Sequence, residues 1–280
     1  MKTIRRTMSD GVRIVADLAG PEKGPGIILA HGGGQTRFAW SAAATSLAAA
    51  GYRTLSYDAR GHGESDWSHD NRYPIERRWQ DMAEMITGVS VPFAIVGASM
   101  GAGSVLYGLQ QGARPAAVVL VDMVPNAERA GMERVRTFMA GGKGGFGSLD
   151  EAADVVAAYN PDRPRPKDSS GLLKNLRLGS DNRYYWHWDP GMLDLDIDAE
   201  RAMLGTTMDV LKTLPDLPLL LVRGMSSDVV PGEAAETFRR ELPWAEVCEI
   251  GQAGHMVAGD RNDVFQDSVI DFLGRHLPVI

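Results

Sequence analysis

The chain is poor in cysteine, in aromatic residues, in long apolar runs and in positive charge. Its single cysteine, Cys248, excludes an internal disulfide and fits a reducing compartment such as the cytoplasm. Lysine and arginine number 29 against 36 aspartates and glutamates, a formal net charge of -7. The basic surfaces that attract nucleic acid or anionic membranes are therefore not expected. The apolar stretches Ile27–Ala30, Ala116–Val121 and Leu217–Val222 are too short to cross a bilayer and suit buried strands. Met1 to Asp10 is charged and polar, without the apolar segment of a secretion signal. These absences point to a cytoplasmic protein without nucleic-acid or membrane partners.

What is present is a chain of 280 residues, 44% hydrophobic and 23% charged, which is the composition of a globular protein. The length suits one large α/β domain, or a core with an inserted lid. Short apolar runs alternate with helical stretches. Strands are expected at Val12–Leu18, Gly26–Ala30, Arg53–Tyr57, Phe93–Val96, Ala116–Val121, Leu217–Val222 and Glu246–Ile250. Helices are expected at Thr36–Ala50, Ile75–Thr87, Met100–Gln111, Gly232–Glu241 and Val264–His276. Alternating strands and helices imply a mostly parallel sheet covered on both faces.

The alternation breaks between about Val124 and Leu214. Residues 124–214 read as a helical cap inserted after the sixth strand, and residues 1–123 and 215–280 as the core. The segment holds helical stretches at Ala127–Ala140, Leu149–Tyr159 and Ala199–Thr213. It also holds a glycine-rich Gly141–Gly147, expected to hinge, and a proline-rich Asn160–Asp168. No repeat of solenoid period is present.

Gly97-Ala98-Ser99-Met100-Gly101 matches G-x-S-x-G and lies between an apolar strand and a small-residue helix. A sharp strand-to-helix turn strains the middle residue and exposes its hydroxyl at the carboxyl end of the sheet. Ser99 is thus the candidate nucleophile. His31-Gly32-Gly33-Gly34 follows another apolar strand. The amides of Gly33 and Met100 are candidates to stabilise an oxyanion. His31 is expected to fix the shape of this loop. Of six histidines, His255 in "GQAGHMV" falls between the last strand and last helix, on the edge that carries Ser99. It is the candidate base. Two aspartates could orient it. Asp228, after the strand "LLLVRG", is the first choice, and Asp122, which ends "AAVVLVD", is the alternative acid.

The blocks "HGGGQTRFAW", "YDARGHGES", "GASMG" and "GQAGHMV" resemble, in this order, the α/β-hydrolase superfamily; the resemblance covers the chain end to end and implies that fold's mostly parallel eight-stranded sheet with helices on both faces. They look most like its epoxide-hydrolase and C–C-hydrolase branch, whose members carry a helical cap after the sixth strand. Epoxide hydrolases and haloalkane dehalogenases of that branch use an aspartate at the elbow. Ser99 disfavours both reactions. Members with serine resemble carboxylesterases, lactonases, C–C bond hydrolases and cofactor-free perhydrolases.

The resemblance implies a serine hydrolase of a carboxylic ester or lactone that acts on a small-molecule substrate through an acyl-enzyme. Two alternatives remain. A C–C hydrolase of a diketone-type acid would need an arginine for the substrate carboxylate, with Arg163, Arg165, Arg177 and Arg183 available in the cap. A receptor-like member would keep the triad and signal through a moving lid. The aromatic run Tyr184-Tyr185-Trp186-His187-Trp188 offers Tyr185, Trp186 and Trp188 as pocket walls. Asp194, Asp196 and Asp198 alternate as in a calcium loop, but Ala199 and Gly205 stand where that loop needs glycine and glutamate. No cofactor and no metal are expected. A homo-oligomer is left open.

Overall fold

The computed structural model describes residues 1–89, 91–160, 165, 167–251, 253–255 and 262–279. An eight-stranded sheet runs through it. Its strands are β1 (Lys2–Thr7), β2 (Arg13–Ala19), β3 (Gly26–Ala30), β4 (Arg53–Tyr57), β5 (Phe93–Ala98), β6 (Ala117–Val121), β9 (Leu219–Gly224) and β10 (Glu246–Ile250). Their order across the sheet is β1-β2-β4-β3-β5-β6-β9-β10. β1 pairs antiparallel with β2, and β2 with β4; every other pairing is parallel.

The central strands are apolar along their whole length because both faces are covered. Side chains alternate between two cores. Ile28, Ile95, Leu120 and Leu221 enter one core, whereas Leu29, Val96, Val119 and Val222 enter the other. The helices α2 (Ile75–Ile86), α3 (Met100–Gln110) and α8 (Gly232–Glu241) supply residues to the first. The helices α1 (Ser41–Ala49) and α9 (Asn262–His276) supply the second. Full burial of each aliphatic side chain contributes roughly 1.5–3 kcal/mol against the entropy of ordering the chain.

The chain leaves β3 towards β4 on one side and returns to β5 on the other. The reversal opens a crevice at the carboxyl ends of β3 and β5, the place where open α/β sheets bind ligands. The loop 31–36 and Ser99 both stand there.

Between β6 and β9 the chain builds α4 (Arg129–Ala140), α5 (Leu149–Tyr159), a two-stranded ribbon β7 (Leu176–Leu178) and β8 (Tyr184–Trp186), then α6 (Ile197–Gly205) and α7 (Thr207–Lys212). The insertion is therefore not wholly helical. It has its own small core, in which Phe146, Ala152, Leu176, Trp186 and Trp188 meet. Its last part joins the main core through Leu204, Met208 and Leu211. A helix expected over Ala199–Thr213 is split in two at Thr206.

The glycine-rich stretch forms a packed turn in this structure. Phe146 is buried and its backbone exchanges hydrogen bonds with Tyr184. A Cβ on Gly142, whose φ is +79°, would lie 2.0 Å from the Phe146 ring. The glycine there admits an aromatic ring.

Candidate active site

Ser99 caps the start of α3 with φ +45° and ψ -112°, a conformation that L residues rarely adopt. Its N–H donates to the Val121 carbonyl (2.9 Å), and its carbonyl accepts from Gly103 (2.9 Å), so both sides of the turn are held. The flanking glycines are required by close approach. A Cβ on Gly97 would stand 2.8 Å from the Ala102 nitrogen, and one on Gly101 2.4 Å from the Ala30 carbonyl oxygen. The sequence G-x-S-x-G thus lets α3 leave β5 at once and raises the hydroxyl above the sheet.

Ser99 Oγ lies 3.0 Å from His255 Nε2, and His255 Nδ1 lies 2.6 Å from Asp122 Oδ2. A carboxylate accepts, so Nδ1 carries the ring proton and Nε2 faces the serine hydroxyl. Asp122 directly follows β6, again at positive φ (+50°), with its N–H bonded to the Val222 carbonyl on β9. Its Oδ1 accepts from the Gly224 amide (3.3 Å). Its Oδ2 also accepts from Ser227 Oγ (2.5 Å). Ser227 Oγ in turn accepts from the Val229 and Val230 amides. The carboxylate is therefore fixed by the end of β9 and the turn that follows it.

The first choice of acid is corrected by this geometry. Asp228 pairs with Arg134 of α4 at 2.9 Å, and both side chains are substantially exposed. The β9 turn reaches the acid with Ser227, and the next residue points away to the cap. Asp122, the alternative, is the carboxylate that contacts His255.

The loop 31–36 is held by histidines. Ala59 donates to His31 Nε2 (2.9 Å), and His31 Nδ1 faces the Gly32 carbonyl (2.8 Å). Gly34 donates to His62 Nε2 (3.1 Å), and Gly63 donates to His187 Nδ1 (2.7 Å). Each ring thus accepts a backbone N–H at one nitrogen, which suits the neutral form. Burial lowers all three pKa values, that of His187 to about 3. A Cβ on Gly32 would stand 3.3 Å from Ser99 Cβ, so the loop passes directly beside Ser99. Met100 opens α3, and first-turn amides have no acceptor within their own helix.

A cavity of about 100 Å³ opens at Ser99. Gly33 and Met100 line it, together with Met123, Met132, Met139 and Met192. Five of the chain's 13 methionines thus stand here. That signal was present in the composition and was missed, because methionine has no motif. Arg78 and Glu200 also line the cavity and are paired with each other.

The aromatic residues expected as pocket walls lie elsewhere. Trp186 stacks on Trp188 with centroids 4.8 Å apart, and Trp186 Nε1 donates to the Gly141 carbonyl. Tyr185 donates its hydroxyl to Asp181. None of the three lines the cavity. Trp186 and Trp188 are buried in the small core of the insertion with Phe146 and Leu176. His187, within the same run, ties the cap to the core turn at Gly63. Among the cap arginines, Arg165 pairs with Asp150 and Asp154, Arg177 donates to the His187 carbonyl, and Arg183 donates to Gly144 and Gly145. Arg163 lies outside the described residues. Asp196 caps α6 by accepting from Asp198 and Ala199, and among the described residues no cluster suited to a metal ion is found.

Fold and site together define an α/β hydrolase. Residues 27–267 match the model of the alpha/beta hydrolase family, and the chain belongs to that family. Esterase Rv0045c of Mycobacterium tuberculosis is 28% identical over 249 residues, covering 85% of this chain and 78% of that protein. The sn-1-specific diacylglycerol lipase ABHD11 of Mus musculus is 29% identical over 269 residues, covering 89% and 81%. The crystal structure of an alpha/beta hydrolase from Novosphingobium aromaticivorans shares the fold with a TM-score of 0.80, at 24% identity over 97% of this chain and 98% of that one. The family and its esterase and lipase relatives make this chain a hydrolase. No helix among the described residues is long and apolar enough to cross a membrane.

Proposed function

We propose that the protein hydrolyses a carboxylic ester through an acyl-enzyme on Ser99. The observation that carries this reading is the continuous chain from Ser99 Oγ to His255 (3.0 Å) to Asp122 (2.6 Å). His255 Nε2 takes the hydroxyl proton as Oγ attacks the acyl carbon. Asp122 holds the imidazole in the productive tautomer and stabilises its charged form. The Gly33 and Met100 amides receive the developing oxyanion, and removal of one such donor typically costs about 3 kcal/mol. His255 then gives its proton to the leaving alkoxide, which departs as the alcohol. In the second half it takes a proton from water, whose oxygen attacks the acyl carbon. The proton returns to Ser99 as the C–O bond breaks and the acid leaves.

The walls of the cavity suit an apolar acyl or alkyl group of modest size. Methionine side chains are unbranched and polarizable, and they adapt to ligands of varied shape. The test is hydrolysis of p-nitrophenyl esters by the wild type and by Ser99→Ala. A loss of about 10⁴-fold or more in kcat supports the reading. Near-wild-type turnover in the variant contradicts it.

A further inference from the structure

Among the groups around the cavity, Arg78 carries a buried donor that its structural partner does not satisfy. It stands on α2, one helical turn from Ile75. A Cβ placed on Gly103 of α3 would meet Ile75 at 3.9 Å, and Gly103 is one turn beyond Ser99. Arg78 and Gly103 both line the cavity that holds Ser99. The Arg78 side chain is only 5% exposed. A guanidinium has five N–H donors. One nitrogen, Nη2, is bonded to Glu200, while Nε is buried with no hydrogen-bond partner among the described residues.

A buried donor without an acceptor is costly, and more so on a charged group. Nε itself is enclosed by protein atoms, so an acceptor in the cavity would meet the terminal nitrogens of the same guanidinium. The charged groups of the cavity wall are few. Arg78 and Arg136 line the cavity against one carboxylate, Glu200, while the partner of Arg136, Glu133, is not part of the lining. The remaining lining is largely apolar, so this is the place where an anion would be recognised.

We propose that Arg78 binds a carboxylate of the substrate, so that the ester cleaved is one that carries a free acid group beside the scissile acyl group. This rests on the reading of Ser99 as an acyl-transfer nucleophile at the same cavity. The planar guanidinium presents parallel N–H groups to a carboxylate, which fixes orientation as well as adding affinity. Its tie to Glu200 of α6 holds the arginine in place across the boundary between core and cap.

The experiment compares p-nitrophenyl hydrogen glutarate with p-nitrophenyl pentanoate, which differ chiefly in the terminal carboxylate. Wild-type kcat/KM is expected to favour the glutarate ester by at least about tenfold, the scale of one charge-assisted hydrogen bond. Arg78→Gln alone leaves Glu200 buried without its partner and risks unfolding. The double variant Arg78→Gln with Glu200→Gln avoids this and is expected to lose the preference. The ratio of the two esters in one preparation does not depend on the folded fraction. A second readout needs no turnover: monomethyl glutarate binding to Ser99→Ala, by calorimetry, weakened at least about tenfold when both glutamine changes are added. A wild type that favours pentanoate, or a double variant that keeps the preference, overturns the carboxylate site and leaves the esterase reading standing. Binding that depends on Arg78 without hydrolysis of either ester supports the site and contradicts the esterase reading.

Discussion

Asp122 and His255 are joined by a 2.6 Å contact across 133 residues of sequence, and the carboxylate that makes it directly follows the sixth strand rather than the seventh in the main sheet. A paired comparison follows from this placement. Asp122→Asn is expected to lower kcat by about 10⁴-fold, because an amide holds the wrong tautomer of the histidine. Asp228→Asn is expected to leave kcat within about twofold and to change stability by less than ~1 kcal/mol, the worth of an exposed ion pair. Steady-state kinetics on both folded variants check it, and a greater loss for Asp228→Asn would reverse the assignment.

Ser227 is expected to act through Asp122. Its hydroxyl donates to the carboxylate and accepts from two buried amides, those of Val229 and Val230. Ser227→Ala leaves these groups short of partners, at a cost on the order of 1–3 kcal/mol in stability. It should also lower kcat more than it raises KM, since the carboxylate then keeps only the Gly224 amide of its two β9-side donors. Chemical denaturation and kinetics measure the two effects separately, and an unchanged kcat would reduce Ser227 to a purely structural role.

The methionine walls and the tryptophan pair should answer differently to truncation. Met132→Ala or Met192→Ala enlarges the cavity and is expected to shift the ranking of kcat/KM towards longer acyl chains. Trp186→Ala removes a buried ring from the small cap core and is expected to cost about 3–5 kcal/mol, with a fall shared by all esters. An ester panel of increasing chain length, with a melting curve for each variant, separates them. A chain-length shift confined to the tryptophan variant would put the pocket where the sequence first suggested.

Acid should loosen the junction of cap and core. Burial, first of all, holds His187 to about 3, below its ordinary 6.5, so the unfolded chain binds a proton that the folded one excludes. Stability from this group is complete above about pH 6.5 and is lost as pH falls from there towards 3. His31 and His62 shift in the same direction for the same first cause. Melting temperatures from pH 7 to pH 4 are expected to fall for the wild type and to fall less steeply for His187→Asn. Parallel slopes would remove His187 from the acid response.

Much of this molecule is legible in its sequence where one local rule suffices. The helix at Leu149–Tyr159 and the strand at Glu246–Ile250 lie where their patterns place them, as does the serine turn between its two glycines. β1 was not legible, since "KTIRRT" is an edge strand with little apolar burial to mark it. The choice between Asp122 and Asp228 depended on which turn residue points inward, and Ser227 takes that position by a side-chain bond that spacing does not encode. The aromatic run misled because an inserted cap must bury a core of its own, while the cavity was lined by methionines scattered from 100 to 192.

The most direct test of the account is covalent capture of the nucleophile. A p-nitrophenyl alkylphosphonate mimics the tetrahedral intermediate and should phosphonylate Ser99 Oγ with release of one p-nitrophenolate per chain. Peptide mass spectrometry should place the adduct on Ser99, and Asp122→Asn should slow its formation by orders of magnitude while Asp228→Asn does not. An adduct on another residue, or labelling that proceeds at the wild-type rate in Asp122→Asn, would contradict the Ser99–His255–Asp122 assignment.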